Sequence, residues 1–212
     1  MIPAAVSLTA ALALAPAVAP AALPAFSSSI APVTAASLAR TWRAGCPVGP
    51  ASLRLVRVDY VGFDGHAHPG SIVVNAQVTA AVVTVFRTLY AARFPIRSMI
   101  PEAAFGGKDP SSMAADNTSG FNCRYAVADG PPSWSVHSYG EAIDVNPVEN
   151  PYVLNGAAEP AAGARYLARG DPRPGMAVPG GTLVRAFAAV HWFWGGRWSA
   201  SPDYQHFSRT GG

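Results

Sequence analysis

The chain has 212 residues, 50% hydrophobic and only 13% charged, with a formal net charge of +3. That length supports one well-filled core and does not call for two, and the scarcity of charge leaves Ser, Thr, Asn, Gly and Pro to make much of the surface. The basic excess, fourteen Arg plus Lys108 against 12 acidic residues, is scattered rather than clustered, which argues against a nucleic-acid footprint.

Residues 2–26 carry no charge and are dominated by Ala, Leu, Val and Pro; the first charged side chain is Arg40. Residues 1–26 therefore read as an export signal or an N-terminal anchor, and Pro16, Pro20 and Pro24 favour the signal over a continuous spanning helix. No Lys or Arg follows Met1, which departs from the usual signal. Residues 27–39 read as a linker and 40–212 as one catalytic domain. Cys46 and Cys123 lack metal-type spacing. In an exported chain they default to one disulfide, whereas two buried free thiols fit a cytosolic one.

Leu53 to Val61 reads as a strand ended by the turn Gly62-Phe63-Asp64-Gly65. Ser71 to Val74 is a second apolar run leading to Asn75 as helix cap, after which Val78, Val82, Val85, Phe86, Leu89 and Tyr90 recur at helical spacing. This helix runs to about Arg93, Pro95 stops it, and 95–100 reads as another strand. Residues 101–121 read as a long functional loop, a lid or substrate rim. Residues 150–181 read as irregular, and Thr182 as the cap of a short helix carrying Leu183, Phe187 and Val190. Without regular βαβ alternation, the class expected is α+β with a small, mainly antiparallel sheet flanked by helices.

His137 and Asp144 are seven apart, which on a straight strand places them on opposite faces. They converge only if the chain turns, and Gly140 permits that. Asp203 and His206, three apart, share one side of a helical turn or tight loop. Two imidazoles and one carboxylate leave a fourth position on a metal for water, and Asp203 can take that water's proton. A nucleophilic triad of Ser135, His137 and Asp144 is the rival; it leaves the Asp203/His206 pair unexplained and lacks a nucleophile elbow. His66, His68 and His191 have no partner spacing and read as structural or surface residues. Trp192, Trp194 and Trp198 either line a groove or pack the core. Asn117-Thr118-Ser119 matches a glycosylation sequon.

Ser135, His137, Gly140, Ala142 and Asp144 meet the pattern SxHxxGxAxD, and Trp194, Gly195, Gly196, Trp198, Asp203 and His206 meet a WGG, W, acid-xx-His pattern. With Phe94-Pro95-Ile96, 117–124 and Asn146-Pro147, the chain resembles the VanY-type D-alanyl-D-alanine carboxypeptidases, which include L-alanyl-D-glutamate endopeptidases, over about residues 53–208. The resemblance implies a hedgehog/DD-peptidase-like fold, one zinc ion per chain held by His137, Asp144 and His206, and Asp203 as general base, where many relatives carry Glu. It implies Arg124 and Ser135 as substrate-binding residues; for Arg124 a structural salt bridge is the equal alternative. The function expected is hydrolysis of peptidoglycan stem peptides by an exported, monomeric metallopeptidase that is extracellular or cell-wall associated, touching membrane only through an uncleaved N-terminal segment. A non-catalytic wall-binding module with a zinc-stabilised fold is the alternative.

Overall fold

A computed structural model describes residues 22–127 and 131–211. In chain order the elements are β1 (Ser28–Pro32), β2 (Leu53–Val61), β3 (Ala67–Asn75), α1 (Thr79–Ala91), α2 (Asp109–Ala114), β4 (Ala142–Asp144), β5 (Tyr152–Leu154), β6 (Ala157–Glu159), α3 (Thr182–Ala188), β7 (Phe193–Trp194) and β8 (His206–Ser208). They form three small antiparallel sheets, ordered β1-β2-β3, β4-β8-β7 and β5-β6. Mixed α and β with small antiparallel sheets matches the class read from the sequence.

The β2–β3 hairpin is covered on both faces because successive side chains alternate. Val56 stands opposite Ile72 and, with Val58 and Val74, enters the main core. Leu55 stands opposite Val73 on the other face, in a smaller cluster with Leu53, Leu38 and Phe121 around Cys46 and Cys123. These cysteines form a disulfide with a Cα–Cα distance of 6.0 Å, as expected. Helix α1 buries Val82, Val85, Phe86, Leu89 and Tyr90, the i, i+3, i+4, i+7, i+8 stripe that seals the main core. Asn75 caps a 3-10 turn over Ala76–Val78, accepting from Gln77 N–H, so the α-helix proper begins at Thr79. Phe187 of α3 stacks on Phe207 of β8 with ring centroids 4.1 Å apart, joining this core to the β4-β8-β7 sheet.

Several elements differ from the sequence reading. Residues 95–100 form no strand: the backbone bonds to Val61 and Ser71 in turn, and the Asn117 side-chain amide takes the place of a partner strand, both donating to Ile100 O and accepting from Ile100 N–H at 2.9 Å. Asn117, the sequon residue, is 0% exposed. The stretch read as a linker holds β1, paired with β2 along its whole length. Residues 1–21 of the export segment lie outside the described residues. Beyond them, Pro24 O accepts from the Tyr90 hydroxyl and Phe26 packs on the Tyr90 ring, centroids 5.5 Å apart. The irregular 150–181 stretch contains the β5–β6 hairpin, and 101–121 contains α2. Gly181, not Thr182, is the cap of α3.

Candidate metal centre and substrate groove

His137 sits in a 3-10 turn over Val136–Tyr139. Ser135 opens the turn, its hydroxyl accepting from His137 N–H at 3.3 Å, a capping bond that contributes about 1 kcal/mol. Gly140 ends it at φ 70, a left-handed conformation that glycine adopts without a Cβ penalty. Its carbonyl accepts from Asn75 N–H at 2.8 Å, and the Asn75 side-chain amide donates to Tyr139 O at 3.0 Å. The last residue of β3 thereby pins the turn, and the chain reverses into β4.

Asp144 ends β4 in register with His206, the first residue of β8. Opposed residues of an antiparallel pair project from one face, so the sheet fixes two of the candidate ligands and the turn delivers the third. His137 Nε2 lies 3.1 Å from Asp144 Oδ2 and 3.2 Å from His206 Nδ1, which is 3.1 Å from Asp144 Oδ1. All three side chains are buried. His137 Nδ1 donates to Gly120 O at 2.7 Å, which leaves a lone pair on Nε2 facing the cluster. Two imidazole nitrogens and a carboxylate in this arrangement could hold a cation among them. The N₂O donor set of three side chains suits zinc with one position to spare, so the residues present fit that ion.

Burial opposes the imidazolium form of His137, but the Asp144 carboxylate outweighs it and raises its pKa. Burial lowers that of His206. Asp144, against the effect of its own burial, is held below the usual carboxylate range by His137 and His206. Burial, reinforced by the Asp144 charge, pushes the Asp203 carboxyl well above its ordinary value. Its Oδ1 has no protein hydrogen-bond partner among the described residues.

Asp203 N–H donates to Gly195 O at 3.1 Å. A Cβ on Gly195 would lie 2.9 Å from Asp203 O and 3.2 Å from His206 Cβ, so the Trp194-Gly195-Gly196 motif serves close backbone approach. Trp192 and Trp194 are core residues, whereas Trp198 lies beside His206 with ring centroids 5.3 Å apart. His68 pairs with Asp64 at 3.0 Å, away from the cluster.

His137, Asp144, Asp203 and His206 line one groove of about 580 Å³ together with both expected substrate-binding residues, Arg124 and Ser135. Arg124 Nη2 pairs with Asp109 Oδ2 at 2.9 Å, so the ion pair and the groove position coexist. Helix α2, within the stretch read as a lid or substrate rim, contributes Asp109 and Met113 to the groove lining. Across the groove, Tyr152, Leu154 and Glu159 come from β5–β6. Sequence reasoning missed these three, since three-residue strands show no period, and also Gln205, although it lies inside the Asp203/His206 motif.

Residues 129–209 match a family model described as D-alanyl-D-alanine carboxypeptidase, which supports a peptidase and agrees with the resemblance read from the motifs. That span contains His137, Asp144, Asp203 and His206. No curated protein and no solved structure matches the chain.

Proposed function

We propose that the protein is an exported zinc peptidase, monomeric and with a hedgehog/DD-peptidase-like fold, that hydrolyses peptidoglycan stem peptides. It acts as a carboxypeptidase removing a terminal residue or as an endopeptidase cutting within the stem. The observation that carries this reading is the buried convergence of His137 Nε2, Asp144 and His206 Nδ1 on a groove, within the span that matches the carboxypeptidase model. His137, Asp144 and His206 would hold one zinc ion, which when bound would supply Lewis-acid polarisation of a carbonyl and lower the pKa of water. The Gly120 carbonyl keeps the His137 ring oriented with Nε2 toward Asp144 and His206, where it would hold the ion. Asp203, free at Oδ1, accepts the proton of the attacking water and returns it to the leaving amine. Arg124, steadied by Asp109, presents its remaining donors to a substrate carboxylate, and the Ser135 hydroxyl lies in reach of the same substrate.

The Cys46–Cys123 disulfide supports an oxidising, exported setting. Among the described residues no helix is long and apolar enough to cross a membrane. Purified protein on muropeptides tests the reading. Asp203→Ala should cut turnover by about 10²–10⁴-fold, the range for a general base, while elemental analysis still finds zinc bound. Unchanged turnover in that variant refutes the assignment.

A further inference from the structure

We propose that Glu159 forms a subsite for an ammonium group on the substrate, so that the groove selects peptides bearing a long cationic side chain near the scissile bond. The inference rests on the peptidase reading for the position of that bond.

Asp203 forms an antiparallel bridge with Tyr152, and Tyr152 stands opposite Glu159 in the β5–β6 hairpin. Opposed residues share a face, so Asp203, Tyr152 and Glu159 make a row along one groove wall. The intervening residues Val153 and Ala158 turn to the other side, where Ala158 is buried at 8% exposure. Two strand spacings of roughly 4.8 Å place Glu159 about 10 Å from Asp203.

The other groove carboxylates are engaged or enclosed. Asp144 faces two imidazoles, Asp109 pairs with Arg124, and Asp203 is half-buried with its Oδ1 enclosed. Glu159 is exposed, and its carboxylate has no hydrogen-bond or ion-pair partner among the described residues. Leu154, two residues along from Tyr152 and on the same face, offers apolar surface for the methylenes of a lysine-like arm, whose stem packs while its head stays wet. With Arg124 also on the groove, the site carries separate cationic and anionic features, complementary to a substrate with a carboxylate at one place and an ammonium at another.

Calorimetric titration of full-length protein in an Asp203→Ala background, with two synthetic peptides that differ only by lysine against norleucine, tests this. The lysine peptide should bind about fivefold tighter at low salt, the upper end for a solvent-touched ion pair, and the ratio should fall to about one in Glu159→Gln. Using a ratio within each variant removes any general loss of folded protein. A ratio near one in the parent, a ratio that survives Glu159→Gln, or binding of neither peptide overturns the inference. Turnover of both peptides is measured separately with Asp203 intact: its absence counts against hydrolysis, while the binding ratio still decides on Glu159.

Discussion

Gly140→Ala tests whether the reversal after His137 holds the candidate metal site together. At φ 70 an L-residue costs about 1–2 kcal/mol over glycine. The added methyl would lie 2.6 Å from Asn75 N, 2.9 Å from Leu53 Cδ2 and 3.2 Å from Val74 C. Two of those atoms belong to the backbone of β3 and cannot rotate away, so overpacking adds about 1–3 kcal/mol. The sum, about 2–5 kcal/mol, corresponds to a Tm lower by about 10 °C for a chain of this size. Denaturant unfolding should show a lower midpoint at unchanged slope. Relief of the clash pulls Gly140 from Asn75 and shifts His137, so zinc affinity should fall about 10–100-fold, as when a ligand loses its orienting contact. Destabilisation below about 0.5 kcal/mol, the level of an ordinary surface change, together with unaltered zinc affinity, would refute this account of the turn.

Chelation should abolish turnover and lower Tm, with both restored by zinc; at a hundredfold excess over Kd the ion adds about 2.7 kcal/mol, and a Tm indifferent to chelator would contradict the site. Cys46→Ser opens a bridge between residues 77 apart and should cost about 4 kcal/mol, read by denaturant unfolding; a loss under about 1 kcal/mol would go against it. Glu149 is buried beside Asp116, and burial, then the neighbouring carboxylate, pushes its pKa up to about 8. The folded chain thus keeps a proton that the unfolded chain releases near 4.5. The associated stability is complete below that pH and disappears as pH rises through 8, with a slope no steeper than about 1.4 kcal/mol per unit. Glu149→Gln, neutral throughout, should flatten the stability profile between these values; a profile parallel to the parent's would disprove the assignment.

The His137, Asp144 and His206 cluster was legible because its residues lie in short motifs, and β2 and α1 because their apolar periods run long enough to read. What the motifs do not contain is the pairing of Asp144 with His206 across β4 and β8, a register between segments 62 residues apart. Strands of two or three residues, such as β5 to β8, leave no alternation to detect, so the β5–β6 wall of the groove went unread. The strand expected over 95–100 failed for a different reason, since the Asn117 side chain satisfies the backbone that a neighbouring strand would have paired. Strand β1 was hidden in a Ser-rich run whose order comes from outside it, through the free edge of β2 and a bond from Ser27 N–H to the Asp59 carboxylate at 2.7 Å.

That first strand shields the hairpin behind it. Without Ser28–Pro32, β2 would present an open row of amides and carbonyls to any other chain, the surface from which domain swapping and aggregation start. With it in place the outermost edge is a five-residue segment closed by Pro32, whose missing N–H discourages further pairing. A recombinant fragment beginning at Arg40 would therefore suffer in solubility as well as stability, forming dimers or larger species at concentrations where the longer chain stays dispersed.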